Sequence, residues 1–278
     1  MEQIRPDVYV ETNFHGVTVS AIGTANGLVC VDTPTLPADA RRWRLQLTQL
    51  EAGPVQFIVN TDHNRDRTLG NQWFDASIIA HENTYVRLRE YPDVYKPNVG
   101  EIGGEHEFAH DLAGIRNVLP QLTFTKSLEL FRGAHPIRLW HRGGSASGAI
   151  WVELPSEKVL FVGDTIFANH PFIGDSDIQL WLENLASIES PIWNDYIVVT
   201  GRRVGPTHDA IQYSRLYLSY LQNLLLNTPR TPETELPYEL LVNDLLERFP
   251  VADELRHLMA RRLLVGFKRI LNLEGTAN

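Results

Sequence analysis

The sequence predicts an α/β fold in which two sheets pack face to face with helices outside, followed by a C-terminal helical extension. Three observations carry this expectation. Short apolar runs bounded by turn residues recur as far as Thr200. Amphipathic helical stripes are interleaved with them. From about Asp209 onward only helical periodicity remains. The division expected is therefore residues 1–208 for the α/β domain and 209–278 for the extension. Periodicity alone is equally compatible with other α/β arrangements.

Val17–Ile22 and Gly27–Val31 read as strands joined by a turn at Asn26-Gly27, and Asp32-Thr33-Pro34 ends the second. A helix is expected from about Pro37, with Ala40, Trp43, Leu47 and Leu50 on one face and Gly53-Pro54 as its stop. Val55–Asn60 and Ser77–Ala80 read as strands, the latter followed by a helix. Residues 91–120, rich in Pro and Gly, read as an irregular surface segment. Strands are expected at Leu128–Phe131, Ile137–His141, Ala149–Leu154 and Val159–Val162, with Pro155–Lys158 as a hairpin turn between the last two.

Ser176-Asp177-Ile178-Gln179 has the form of a capping box, opening a helix with Ile178, Trp181, Leu182, Leu185 and Ile188 on one stripe. Tyr196–Thr200 reads as a final buried strand. In the extension, Tyr213, Leu216, Tyr217, Tyr220, Leu221 and Leu224 form a helical stripe. Two more helices are expected around 237–248 and 252–272.

Composition narrows the function classes. The chain has 278 residues, 43% of them apolar, which is ample for a core. Lys and Arg number 25 against 34 Asp and Glu, and no basic cluster suggests a nucleic-acid surface. A single cysteine, Cys30, sits in the apolar run Leu28–Val31 and excludes an internal disulfide. The first residues lack the form of a signal peptide, and no apolar run approaches the roughly 18 residues of a membrane span. A cytoplasmic location without membrane or nucleic-acid partners is the expectation.

Five blocks then appear in order: Val31-Asp32-Thr33; Asn60-Thr61 with Thr68-Leu69-Gly70-Asn71; Gly143-Gly144-Ser145-Ala146-Ser147-Gly148; Val159-Leu160-Phe161-Val162-Gly163-Asp164-Thr165-Ile166-Phe167; and Val198-Val199-Thr200-Gly201-Arg202. Together they resemble the metallo-β-lactamase-fold superfamily of hydrolases, over roughly residues 5–225. The resemblance implies a four-layer αββα fold and a site that, in active members, holds two zinc ions on an H-x-H-x-D-H segment, a loop histidine, a bridging aspartate and a last histidine.

The seven ligand positions that the resemblance implies hold Asp62, Asn64, Asp66, Arg67, Ser145, Asp164 and Arg202. Only Asp66 and Asp164 keep the family's residue type. Zinc needs about four His, Cys or carboxylate ligands to activate water near neutral pH. Arginine cannot deprotonate to ligate. The expectation is that zinc is absent and that Arg67 and Arg202 pair with Asp66, Asp164 and Asp62, since stranded buried carboxylates would otherwise be costly.

Several functions stay open at this point. The first is a pseudoenzyme, or a protein that binds a small anion or assembles, with the C-terminal helices as a homo-oligomer contact. The alternative is a divergent hydrolase of an ester, lactone or thioester in the same cleft, with His63 as base and Ser145 as nucleophile. A hard-cation site on Asp62, Asp66 and Asp164 is opposed by the nearby arginines. His106-Glu107-Phe108-Ala109-His110 matches H-E-x-x-H, but glycines flank it and no third ligand stands out by spacing. His141 and His208 lie near lost ligand positions in sequence.

Overall fold

A computed structural model describes residues 1–96, 110–131, 133, 136–203, 207–228 and 238–275, with side chains to residue 271. Among these residues two sheets form. The first has seven strands: β1 (Glu2–Arg5), β2 (Val8–Glu11), β3 (Val19–Thr24), β4 (Gly27–Val31), β5 (Val55–Val59), β6 (Ser77–His81) and β7 (Leu122–Phe124), in that spatial order. β1 to β4 run antiparallel, whereas β4 to β7 are parallel neighbours. The second sheet contains β8 (Ser127–Phe131), β9 (Pro136–His141), β10 (Ile150–Leu154), β11 (Val159–Phe161) and β12 (Ile197–Val199), ordered β12-β11-β10-β9-β8. Its β11–β12 pair is parallel.

The period-2 alternation of strands explains how the sheets share one core. Val29 and Val31 of β4 join Val59, Ile79, Leu139, Val152, Leu154 and Phe161 in a single cluster fed by both sheets. The alternate residues Leu28 and Cys30 point the other way, onto Trp43 and Leu47 of α1 (Pro37–Thr48). Cys30 is fully buried there, and burial pushes its thiol up to about 12, so it behaves as a small apolar side chain. Two short helices complete this part, α2 (Arg65–Thr68) and α3 (Glu82–Arg89).

By contacts the chain divides into two compact units. Met1–Arg142, Gly148–Asp164 and Pro191–Arg203 form the first, which holds both sheets and the helices named so far. Gly143–Ser147, Thr165–Ser190 and Val204–Asn278 form the second. It contains α4 (Ile178–Ile188), α5 (Thr207–Asn227), α6 (Tyr238–Arg248) and α7 (Asp253–Gly275). Within it α4 packs on α5 and α6 on α7. Phe167, Trp181, Tyr213, Tyr217 and Phe249 interlock there edge to face, for example Phe167–Tyr217 at 5.4 Å. Among the described residues no helix is long and apolar enough to cross a membrane.

Three local expectations change. The cap of α4 is Asp177, whose carboxylate accepts from Leu180 N at 2.9 Å. Ser176 instead donates its hydroxyl to the Ser145 carbonyl at 3.0 Å, so the capping box does not form with serine as cap. Leu216 of the expected α5 stripe is 65% exposed; the buried side of α5 runs through Ala210, Ile211, Ser214, Tyr217, Leu218 and Leu221. The final strand β12 is partly rather than fully buried. Most of the H-E-x-x-H segment, residues 106–109, lies outside the described residues, and His110 begins an exposed turn.

Candidate functional site: a buried aspartate–arginine cluster

The site forms at the C-terminal ends of parallel strands from both sheets. Asp32 follows β4, Asp62 and Asn64 follow β5, and Asp66 and Arg67 lie on α2. Asp164 sits in a single 3₁₀ turn, Gly163–Thr165, after β11, and Arg202 comes just after β12. A polar frame sets the first segment. Asn60 and Asn71 exchange side-chain hydrogen bonds at 2.8 and 3.3 Å. Thr33 and Asn60 both donate to the Arg67 carbonyl, and Thr35 donates to the Asp66 carbonyl at 2.5 Å. These bonds fix α2 although it has only four residues and no side-chain cap.

Arg67 is fully buried and central. Its Nη2 donates to Asp164 Oδ1 at 2.6 Å and its Nη1 to Thr61 Oγ1 at 2.8 Å. Nε lies 3.3 Å from Asp62 Oδ1 and 3.7 Å from Asp66 Oδ1, while Nη1 is 3.7 Å from Asp32 Oδ2. Arg202 approaches from the other side. Its Nη1 is 2.5 Å from Asp66 Oδ2 and donates to the Gly16 carbonyl at 2.7 Å, and its Nε and Nη2 both donate to Asp164 Oδ2 at 3.2 and 3.0 Å. Asn64 Nδ2 reaches the same oxygen at 3.4 Å. Asp164 is thus gripped on both oxygens by two planar guanidinium groups.

Close backbone approach makes room for this. Gly201 N donates to Gly163 O at 2.8 Å. A Cβ at Gly201 would stand 2.8 Å from Arg67 Nη1 and 2.9 Å from Asp164 Oδ1, so only glycine fits between the two strand ends.

The electrostatics follow from burial and count. Four carboxyl groups face two guanidinium groups. Burial raises the Asp164 carboxyl, but Arg202 and Arg67 outweigh it and hold the group below the usual carboxylate range. Burial opposes charge on Arg67, yet Asp164, Asp62, Asp32 and Asp66 hold it well above the ordinary guanidinium value. Arg202 is also raised, against burial, by Asp164 and Asp66. Two other carboxyls of the cluster shift the opposite way from Asp164. Burial pushes Asp32 up to about 7, with Asp62 reinforcing the shift and Arg67 opposing it. Burial raises Asp62 as well, with Arg67 opposing and Asp164 reinforcing.

The six sequence-predicted positions of the first unit, Asp62, Asn64, Asp66, Arg67, Asp164 and Arg202, therefore meet in one cluster. Ser145 belongs to the second unit, where its hydroxyl is buried with no hydrogen-bond partner among the described residues. His63 is buried beside Asp62 and lowers that carboxyl electrostatically. His141 stacks on His81, 3.7 Å between ring centroids, and His208 lies in the first turn of α5. Two participants were not singled out from the sequence. Asp32 accepts from Thr61 N and Oγ1 at 2.8 and 2.6 Å, and Thr61 in turn holds Arg67. The signal was present in Val31-Asp32-Thr33, an acidic residue at a strand end. Its left-handed backbone, φ 58°, is one that aspartate tolerates.

The family model for the metallo-beta-lactamase superfamily matches residues 12–214. The chain belongs to this superfamily. Comparison with curated proteins gives no match. Among solved structures, a metallo-beta-lactamase from Pontibacter korlensis is similar with 18% identity and a TM-score of 0.58, over 78% of this chain and 97% of that one. A beta-lactamase domain protein from Burkholderia ambifaria is similar over 99% of this chain and 88% of its own, with 14% identity and a TM-score of 0.66. At these identities the likeness concerns the fold alone, which has α and β layers as expected from the sequence.

The superfamily implies two zinc ions, and these residues do not fit them. Both oxygens of Asp164, the bridging ligand of active members, are taken by guanidinium nitrogens at 2.6 to 3.2 Å. Two permanent cations stand in the ligand shell. Among the described residues no group of three or more His, Cys, Asp or Glu is placed to hold a metal.

Proposed function

We propose that this superfamily member is not a zinc hydrolase and serves as a pseudoenzyme in a binding or assembly role, with its metal centre replaced by an internal ion-pair cluster. The observation that carries the reading is the double guanidinium grip on Asp164. The reading follows from charge complementarity: two arginines supply in fixed form half of the positive charge that two dications supply in active relatives, set against the four carboxyl groups of the cluster. The same count argues against a small anion as ligand of the cluster. Both guanidinium groups are already committed to carboxylates, and an incoming anion would meet four of them. No observation favours the metal-free hydrolase alternative. The binding role is therefore assigned to surfaces outside the cluster, and a cytoplasmic setting accords with it.

The test is metal content and turnover measured together. Protein purified from zinc-supplemented culture and dialysed is expected to carry far less than one zinc per chain. It should show no chelator-sensitive hydrolysis of a β-lactam, thioester or lactone. Stoichiometric zinc, or hydrolysis that a chelator abolishes, refutes the reading. As a control, the combined variant Asp62→His, Asn64→His, Arg67→His and Arg202→His restores the family's donor types at the positions of the first unit and is expected to gain zinc.

A further inference from the structure

We propose that the stacked imidazoles of His81 and His141 form a proton-sensitive clasp between the two sheets, which holds the start of α3 and the Gly148 backbone packed against it and lets go on acidification. His81 ends β6 of the seven-stranded sheet and His141 ends β9 of the five-stranded sheet. Their rings lie 3.7 Å apart and 13° from parallel.

His81 is 2% exposed, and both of its nitrogens are engaged. Nδ1 accepts from Asn83 N at 3.1 Å as the cap of α3, and Nε2 bonds the Thr125 carbonyl at 2.8 Å. A carbonyl can only accept, so the proton sits on Nε2 and the ring is neutral in one tautomer. Protonating Nδ1 would set two N–H donors against each other and remove the cap. It would also place a cation face to face with a second titratable ring.

The surroundings favour the neutral form. Burial lowers the His81 affinity for protons, with His141 acting in the same direction, against the Thr125 carbonyl and the neighbouring Glu82. From β7, Phe124 presents only an aromatic contact, 5.9 Å from the His81 ring. Lys126, in the turn before β8, offers its carbonyl to His141 N at 2.9 Å. Glu82 is thus the carboxylate acting on His81, and it lies on the same helix.

The clasp has somewhere to transmit its release. Thr84, in the first turn of α3, donates its hydroxyl to the Gly148 carbonyl at 3.1 Å. The two segments are so close that a Cβ on Gly148 would sit 2.4 Å from Thr84 Oγ1 and 2.5 Å from Thr84 N. Two residues on, Ile150 N donates to the Thr61 carbonyl at 2.9 Å. Freeing the α3 start therefore loosens the segment that enters β10 beside Thr61.

Amide exchange and imidazole titration by NMR, followed from about pH 7.5 down to about pH 4.5, test this, because the lowered proton affinity of His81 puts its midpoint below the ordinary histidine value. After correction for intrinsic chemistry, protection at Asn83 and Thr84 is expected to fall about fivefold or more, the size of a lost helix cap. The His81 ring should titrate with the same midpoint. In His81→Asn, whose side-chain oxygen can still cap but does not titrate, the pH-dependent loss should vanish. In His141→Phe, which keeps a stacked ring without its charge, the midpoint should move to higher pH. Three results would overturn the proposal: protection independent of pH, a loss unchanged in His81→Asn, or a midpoint unmoved in His141→Phe. If His81→Asn does not fold, different midpoints for ring and amides in the wild-type chain overturn it equally.

Discussion

Arg67 is the residue on which the cluster depends. It is fully buried and lies within 3.7 Å of carboxylates from four separate positions, 32, 62, 66 and 164. Replacing it by Met keeps the volume and leaves those carboxylates without their main counter-charge. The expected loss is about 3–5 kcal/mol in urea unfolding, the usual cost of stranding buried charge. Arg67→Lys should also lose stability, because a single ammonium cannot reach partners spread around a planar fork. Arg202→Met should cost less, since that side chain is 28% exposed and water can replace part of its work. An Arg67→Met variant as stable as the parent would show that the carboxyls simply take up protons and that the pairing contributes little.

Which of these residues could be read from the sequence depends on how far apart their reasons lie. Arg67 and Arg202 were legible because each replaces a known donor type at a fixed motif position, and charge balance demanded a partner for Asp164. Asp32 was not singled out, because its place in the cluster depends on β4 and β5 being parallel neighbours with Thr61 opposite the end of β4. That is a tertiary fact. The choice of Asp177 over Ser176 as helix cap had the same origin: both can cap, and the Ser145 and Phe172 carbonyls claim the serine hydroxyl.

At the scale of elements, strands that carry an apolar run were legible, including the three-residue β11 and β12, whereas β1, β2 and β7 were not. β4 carries a continuous apolar run, and β5 and β10 carry apolar runs interrupted only by Gln56 and Glu153. β1 and β7 have four and three residues, mostly half or fully exposed, so no alternation marks them. They exist because neighbouring strands offer backbone partners.

In the second unit, His170 ties elements together. Its Nε2 donates to the Phe249 carbonyl after α6 at 2.8 Å, and its Nδ1 accepts from Tyr217 of α5 at 2.9 Å. Burial lowers its proton affinity below the ordinary 6.5, with Arg262 adding to the effect and the Phe249 carbonyl opposing it. The folded chain thus binds fewer protons than the unfolded one. The stabilisation is complete above the unfolded value and is lost as pH falls through the folded value. Urea midpoints measured at about pH 7 and pH 5 should therefore separate the wild-type chain from His170→Gln, with the wild type losing more on acidification. Equal losses would remove His170 from the account.

For the whole molecule, the cluster changes what the fold depends on. In a metalloprotein, a ligand that binds only the native state adds stability that rises with its concentration. Here the counter-charges are side chains, so a chelator in excess should leave the unfolding midpoint where it was, and added zinc should not raise it. A drop of several degrees with chelator would point to an ion that the arginines do not replace. Salt should matter little as well, because the pairs lie inside and are poorly screened.

Arg202 lies 38 residues beyond Asp164 and far from Asp66, so its grip forms only once the end of β12 has come alongside the earlier strand ends. In a protein whose centre is filled from outside, completion awaits delivery, and a half-supplied population contains two kinds of molecule. Here the positive charge is translated with the chain. On the proposed reading every copy that folds is finished, with no loading step at which a cell could hold it back.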